Sequence, residues 1–133
     1  MIYCLDTDIL IEYFRGNEKI TNKISALGAD DSIALTWLSF YEFFKGIYVS
    51  QKLEEEIFLI NLQASSIVLE SSFESSKLGG EIYATLKKEG KLINDADILI
   101  ASIVKANQAT LVTNNLSHFS RINGVQVENW LSD

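Results

Sequence analysis

Two aspartates, Asp95 and Asp97, lie two residues apart, directly before an apolar run that begins at Ile98. Asn94 precedes them and is a good helix N-cap residue, so both carboxylates are expected in the first turn of a helix. Acidic side chains are favourable there because a helix N-terminus carries partial positive charge. Two interpretations stay open: the pair stabilises a helix start, or it belongs to a metal site on which further carboxylates converge.

Further acidic and amide side chains follow predicted strands. Asp6 comes directly after the first strand, and Asn115 comes two residues after the fourth. Glu42 lies in the helix that follows the second strand, as the one acid in a segment dense in aromatic residues. Functional sites of open parallel sheets form outside the carboxyl ends of the strands. Asp6, Glu42 and Asp97 are therefore expected to share a pocket, with Asn115 beside them.

The residue types in this expected pocket favour a hard cation. Three carboxylates that lie close together repel one another unless a cation neutralises them. No histidine or usable cysteine adjoins them in the sequence, so zinc is not expected. Oxygen ligands alone indicate Mg²⁺ or Mn²⁺, which keep water ligands and bridge to phosphates.

The elements that must position these residues alternate along the chain. Strands are predicted at 2–5, 32–36, 67–69, 110–113 and 125–127. Between them, helices are predicted to start near residues 7, 18, 37, 52, 73 and 95, the fifth with Gly79 and Gly80 near its middle. Those glycines indicate either close helix packing or a break in the helix. The alternation predicts one α/β domain over residues 1–133, with a mostly parallel sheet flanked by helices.

The composition narrows the class of protein. The chain has 133 residues, 47% hydrophobic and 22% charged, with a net charge of −7. This charge argues against a broad basic surface for nucleic acid, but not against an enzyme that meets nucleic acid through bound cations. The single cysteine, Cys4, is expected to be a buried small hydrophobic residue. With no segment typical of a signal peptide or a membrane helix, a cytoplasmic location is expected.

Five short motifs follow one another in an order that resembles a known family. They are Leu5-Asp6-Thr7-Asp8, the segment from Ser39 through Glu42 to Gly46, Asp97 to Ser102, Leu111 to Asn115 with His118-Phe119, and Val125 to Trp130. In these motifs the chain resembles PIN-domain ribonucleases, and specifically the VapC toxins of bacterial and archaeal toxin–antitoxin pairs. The resemblance extends over essentially the whole chain.

This resemblance implies a sheet of order 3-2-1-4-5 and a Mg²⁺-dependent endoribonuclease. It also implies a homodimer and a partner antitoxin. By position, Asp6, Glu42 and Asp97 match the family's acidic metal-site residues, and Asp95 matches a position that is often acidic but less central. Asn115 departs from the aspartate that is frequent there, which puts a second metal ion in doubt.

In the implied mechanism, Asp6 and Asp97 hold the metal ion directly or through water. Glu42 completes the shell or orients the attacking water. Lys45, one helical turn after Glu42, is a candidate contact for an RNA phosphate, but an ordinary surface lysine, alone or paired with Glu42, is the favoured interpretation. For His118, a turn or packing role is expected rather than acid–base catalysis.

An apolar surface is predicted beside the acidic pocket. Ile9, Leu10, Tyr13 and Phe14 recur at helical spacing and, with part of the aromatic segment from Trp37 to Tyr48, are expected to exceed what one small sheet face can bury. Such a patch marks an interaction site, to which an antitoxin segment can dock while its Arg or Lys reaches the pocket carboxylates.

Two other classes of protein also place acids at strand ends. A receiver-like phosphorylation domain would usually carry a lysine after a late strand, and none follows Val112-Thr113. A non-catalytic binding module predicts no metal binding and no effect of changing Asp6.

Overall fold

A computed structural model describes residues 1–132, and strands and helices alternate through them as predicted. The strands are β1 (Ile2–Leu5), β2 (Ser32–Thr36), β3 (Ile67–Leu69), β4 (Thr110–Val112) and β5 (Gln126–Glu128). The helices are α1 (Thr7–Phe14), α2 (Glu18–Ser25), α3 (Trp37–Ser50), α4 (Glu56–Ser65), α5 (Phe73–Lys88), α6 (Asp95–Ala106) and α7 (Leu116–Phe119). A short 3₁₀ turn, Leu53–Glu55, precedes α4, so the helix expected from residue 52 begins slightly later.

All five strands are parallel and form one sheet of order β3-β2-β1-β4-β5, which confirms the predicted order. In the centre of this sheet, Cys4 of β1 lies between Ala34 of β2 and Leu111 of β4. The carboxyl ends of β1 and β4 are therefore adjacent. The residues that follow them, beginning with Asp6 and Thr113, meet at one edge of the sheet.

The core has a cluster of apolar side chains on each side of the sheet. One joins the sheet to α5 and α6, and the other joins it to α1, α3 and α4. Ile9 and Leu10 belong to the second cluster and are fully buried. The prediction that these two side chains belong to an exposed apolar patch is wrong, because α1 turns them onto the sheet. Tyr13 and Phe14 are only partly buried.

The two glycines of α5 do not break the helix. A Cβ atom on Gly79 would lie 3.4 Å from the Ser102 Oγ of α6, an ordinary contact distance, so Gly79 lies where α5 and α6 pack against each other. A Cβ atom on Gly80 would meet nothing within 4 Å. Of the two interpretations, close packing applies, and it applies to Gly79 alone.

The cysteine of β1 is free and buried, as predicted. Burial, with a smaller contribution from the charge of Asp6, raises the pKa of the Cys4 thiol to about 12. Cys4 is therefore a neutral core residue. None of the helices within residues 1–132 combines the length and hydrophobicity needed to cross a membrane.

Candidate active site

Asp6 is fixed at the end of β1 by three hydrogen bonds. Its backbone N–H donates to the Val112 carbonyl oxygen of β4 at 2.9 Å. Its Oδ1 accepts from the Thr7 N–H at 2.9 Å, which caps α1, and its Oδ2 accepts from Thr113 Oγ1 at 2.9 Å. Only 8% of Asp6 is exposed. The carboxylate is thus held at one place at the carboxyl edge of the sheet.

The surroundings of Asp6 disfavour its negative charge. The pKa of this carboxyl is raised to about 6: burial contributes most and the charges of Asp8 and Asp97 add to it, while the hydrogen bonds from Thr113 and Thr7 lower it. Desolvation and neighbouring like charges both favour the protonated form of a carboxyl. Asp6, Asp8 and Asp97, called here the acid cluster, therefore form a pocket in which a bound cation would relieve repulsion.

Glu42 of α3 is tied to the same place through Thr7. The Thr7 hydroxyl donates to Glu42 Oε1 at 3.0 Å, while the backbone N–H of Thr7 donates to Asp6. One residue at the start of α1 thus holds both carboxylates. The predicted convergence of Asp6 and Glu42 at one sheet edge has this contact as its structural basis.

Asp97 lies in the first turn of α6, where Asn94 is the N-cap as predicted. The Asp97 N–H donates to Asn94 Oδ1 at 2.8 Å, and Asn94 Nδ2 donates to Asp97 Oδ2 at 3.1 Å. The Nδ1 atom of His118 lies 3.0 Å from the same Oδ2. The side-chain amide of Asn115 lies 2.9 Å from that Nδ1 atom.

Asp8 is an additional acid of the cluster that the sequence predictions did not include. Its Oδ1 accepts from the Ile9 N–H at 2.8 Å and its Oδ2 from the Asn114 N–H at 3.0 Å. Burial raises the pKa of Asp8, these hydrogen bonds lower it, and the charge of Asp97 raises it. Asp8 therefore ties α1 to the segment after β4 while adding negative charge to the pocket.

The oxygen-rich pocket suits a Mg²⁺ or Mn²⁺ ion that keeps several water ligands better than an ion enclosed by protein ligands alone. Within residues 1–132, no three His, Cys, Asp or Glu side chains are arranged to hold a metal ion together. Mg²⁺ does not require such a cage, since it usually binds one or two carboxylates and keeps several waters. The buried Asp6 carboxylate with Asp97 nearby meets that requirement. The metal roles of Asp6, Glu42 and Asp97 stay predictions.

Two other predicted residues lie on different surfaces. Asp95 is exposed and lines a groove between α5 and α6 with Gly79, Gly80 and Tyr83, so the structure does not bring it to Asp6. The ammonium group of Lys45 lies 5.2 Å from the centre of the Tyr41 ring. A metal role for Asp95 and an RNA contact for Lys45 stay predictions.

A groove opens beside Glu42, between α1 and α3. Its lining is Ile11, Phe14, Arg15, Glu42, Phe43, Gly46, Ile47, Ser50, Lys52 and Glu55. Phe14 packs against Phe58 and Phe43, with ring centroids 5.0 and 6.0 Å apart. Of the four residues predicted to dock a partner, Phe14 lines this groove. Tyr13 packs on Phe58 next to it.

Sequence reasoning underestimated the residues that hold the carboxylates. Thr7, Thr113 and His118 each contact an acidic side chain, yet Thr7 and Thr113 were not predicted as site residues and His118 was assigned to a turn or packing. A signal existed in their positions, because Thr7 follows Asp6 directly and the other two flank Asn115. The sequence does not show which distant segments of the chain come together, and these contacts bring the three side chains to the acids.

Comparison with known proteins places the chain in a family. The PIN domain family model matches residues 3–125. Ribonuclease VapC1 of Haemophilus influenzae (strain R2866) is 33% identical over 132 residues, 98% of each chain. Ribonuclease VapC2 of Rickettsia felis is 33% identical over 136 residues, again 98% of each.

Solved structures agree with this assignment. The structure of VapBC2 from Rickettsia felis, bound to a DNA fragment from its promoter, matches with a TM-score of 0.90 and 31% identity, over 98% of this chain and 99% of that one. VapBC-1 from nontypeable Haemophilus influenzae matches with a TM-score of 0.87 and 30% identity, over 99% and 100%. The chain therefore belongs to the PIN-domain family and, within it, to the VapC ribonucleases.

Proposed function

We propose that this protein is a divalent-metal-dependent endoribonuclease and the toxin of a toxin–antitoxin pair. The observation that carries the proposal is the acid cluster at the carboxyl end of β1, where Asp6 is 8% exposed and its pKa is raised to about 6. Strongly perturbed carboxyls in such a position are typical of functional sites. The ribonuclease names of relatives at 33% identity support the reaction class.

Asp6 and Asp97 are the residues that would hold Mg²⁺, with Mn²⁺ as a substitute. When bound, such an ion lowers the pKa of a water molecule and stabilises charge on the scissile phosphate. Glu42 keeps its Oε1 on the Thr7 hydroxyl, which leaves Oε2 to orient the attacking water by accepting its hydrogen bond. The Thr113 hydroxyl and the Thr7 N–H keep the Asp6 oxygens in place while the substrate binds.

The net charge of −7 requires that RNA be attracted locally rather than over a broad surface. A metal ion in the acid cluster would provide that local attraction. Lys45, one turn from Glu42 and exposed beside Tyr41, is the proposed phosphate contact from the protein. Asn115 is proposed to orient a water molecule or the substrate at the edge of the cluster.

The test is cleavage of total RNA by the purified protein with Mg²⁺, with Mn²⁺ and with a chelator. We expect cleavage only with metal, and none from Asp97→Asn, which keeps the shape of the side chain but removes its charge. Metal-independent cleavage would point to a contaminating nuclease or another mechanism. A folded protein that leaves RNA intact under all conditions would be the non-catalytic binding module considered above.

The proposed partner is an antitoxin segment seated in the groove between α1 and α3. The groove combines apolar residues such as Phe14 and Ile47 with the carboxylate of Glu42. An amphipathic segment would use its apolar face there, and an Arg or Lys from it would reach Asp6 and Asp97. Both solved structures at about 30% identity are of VapBC, which supports a partner of this kind.

Gly46 gives a precise test of this docking site. It lines the groove, and a Cβ atom on it would meet nothing within 4 Å, so a side chain added there starts in open space. Gly46→Trp is expected to weaken binding of the protein encoded next to the toxin gene at least tenfold, about 1.4 kcal/mol. Gly46→Ala, the matched control, is expected to bind normally. Equal binding by both variants would place the partner elsewhere.

A homodimer and a cytoplasmic location complete the proposal. Exposed apolar side chains on α5 and α6, such as Tyr83 and Leu99, supply a candidate surface for a second copy. Sedimentation of the purified toxin should give twice the chain mass of 14.9 kDa. A mass equal to one chain at micromolar concentration would contradict the dimer. The free, buried Cys4 is compatible with a reducing cytoplasm.

A further inference from the structure

His118 occupies a position that its sequence context did not suggest. It is the only histidine of the chain, and its Nδ1 lies 3.0 Å from Asp97 Oδ2 across two different segments. We propose that His118 is a positioning residue that donates its Nδ1–H to Asp97 Oδ2, so that Asp97 offers Oδ1 alone to a metal ion. The metal part of this inference rests on the proposed function, whereas the hydrogen bond itself does not.

The direction of the hydrogen bond follows from the chemistry of the partners. An ionised carboxylate only accepts hydrogen bonds, so the atom facing Asp97 Oδ2 must carry the proton. Nδ1 also lies 2.9 Å from the amide of Asn115. A nitrogen that donates to Asp97 cannot at the same time accept from Asn115, so the amide presents its oxygen to the same N–H. Ser117 Oγ, 3.4 Å from the other amide atom, then accepts from the Asn115 nitrogen.

The two oxygens of Asp97 are consequently different. Oδ2 accepts from Asn94 Nδ2 at 3.1 Å and from His118 at 3.0 Å. Oδ1 receives no hydrogen bond from any residue in the range 1–132. A carboxylate fixed through one oxygen presents the other in a single orientation, which suits an ion that accepts one oxygen from each carboxylate. Hydrogen-bonding partners of this kind orient the groups that ligate metals.

The burial of the pair agrees with this role. The Asp97 side chain is 15% exposed and the His118 side chain 36% exposed, so the imidazole lies on the solvent side of the carboxylate. Asn115 caps the four-residue helix α7 that carries His118. The imidazole therefore links the segment after β4 to the first turn of α6, and this contact closes the acid cluster on that side.

The tautomer of His118 tests the hydrogen bond without any metal. Because the chain has one histidine, its ring nitrogens give one unambiguous pair of NMR signals. We expect the Nδ1–H tautomer in the metal-free wild type at about pH 8.5, above the range in which free imidazole titrates. In Asp97→Ala, we expect the Nε2–H tautomer that free imidazole prefers. An Nε2–H tautomer in the wild type, or no change in Asp97→Ala, would overturn the proposal.

Binding of Mn²⁺ tests the consequence for the metal site. His118→Leu removes the donor and is expected to weaken Mn²⁺ binding about tenfold, at the lower end of the effect of such partners. His118→Asn places an amide N–H where Nδ1 stood and should bind within about twofold of wild type. The neighbouring control Ser120→Ala, at an exposed position outside this network, should bind like wild type. Equal losses in His118→Leu and His118→Asn, or no loss in either, would contradict positioning by a donor. RNA cleavage is measured separately, so a protein that binds Mn²⁺ in this pattern but leaves RNA intact would refute only the proposed function.

Discussion

Two groups of three acids in this molecule differ in almost everything except charge. Glu54, Glu55 and Glu56 are consecutive, run from the 3₁₀ turn into the first residue of α4, and are exposed or half-buried. Asp6, Asp8 and Asp97 are spread along the chain, and burial raises the pKa of the first two. Water screens the glutamates, whereas the aspartates share a desolvated pocket. A net charge of −7 therefore combines a solvated surface with a desolvated site, and only the second is expected to be stabilised by a cation.

The strongest test of this contrast is enzymatic activity. We expect Asp6→Asn and Asp97→Asn each to reduce RNA cleavage at least about 10³-fold, because losing a metal-binding charge removes several kcal/mol of transition-state stabilisation. Glu55→Gln removes the same charge from the surface group and should leave the rate unchanged. The measurement is the initial rate of cleavage of one defined RNA at saturating Mg²⁺.

The variant Asp95→Asn tests which of the two aspartates in the first turn of α6 is needed for cleavage. Asp95 faces the groove with α5, so its loss should change the rate by less than about tenfold, through the helix-start charge alone. An inactive Asp95→Asn together with an active Asp97→Asn would reverse the assignment of the two aspartates.

Asp6→Asn should lower the cleavage rate but raise the stability of the metal-free protein. Asp6→Asn removes a charge that the pocket disfavours, so we expect the free energy of unfolding at pH 7.5 to rise by about 1–2 kcal/mol. This is below the roughly 3 kcal/mol that a pKa raised from 3.8 to about 6 represents, because the amide fits the Thr113 hydroxyl less well. Glu55→Gln should change stability by no more than about 0.5 kcal/mol.

The pH dependence of the free energy of unfolding shows whether the gain in Asp6→Asn comes from removing a disfavoured charge. A carboxyl whose pKa is raised by folding binds its proton more tightly in the folded state, so its destabilising effect is complete above pH 6. The effect disappears as the pH falls toward the ordinary value of 3.8. Urea unfolding at pH 7.5, 5.5 and 4 should show the advantage of Asp6→Asn shrinking at each step. A constant or growing advantage would assign the gain to packing instead.

The smallest expected effect concerns Asn115. Adding a carboxylate beside the cluster with Asn115→Asp should tighten Mn²⁺ binding a few-fold, about 1 kcal/mol, because another negative charge favours the cation. The control Asn61→Asp adds the same charge at an exposed position on α4 and should leave the affinity for Mn²⁺ unchanged. Weaker or unchanged binding by Asn115→Asp in a calorimetric titration would mean that this side chain lies outside the metal shell.

The sequence was sufficient for the features that depend on local pattern. Apolar runs bounded by glycine or polar residues placed β1, β2 and β3 correctly, and Asn94 was recognised as the cap of α6. The resemblance to PIN-domain ribonucleases supplied the strand order, which local pattern alone does not determine. Together they brought Asp6 and Glu42 to the same edge of the sheet.

The features that it missed depend on contacts between distant segments. Thr113 is 107 residues from Asp6, and His118 is 21 residues from Asp97, so neither contact has a signature in local spacing. Ile9 and Leu10 were misjudged for a related reason. Their helical spacing defines an apolar face, but only the packed sheet decides whether that face is covered or open.

The acid cluster is expected to be strained without a metal ion and stabilised by one, and unfolding with and without Mg²⁺ measures this directly. At a Mg²⁺ concentration ten times the dissociation constant, binding to the folded state alone adds about 1.4 kcal/mol to the free energy of unfolding. We predict such a gain for the wild type at pH 7.5, a smaller one at pH 5.5 where protons compete for Asp6, and none for the double variant Asp6→Asn/Asp97→Asn. No gain in the wild type, or an equal gain in the double variant, would contradict the account.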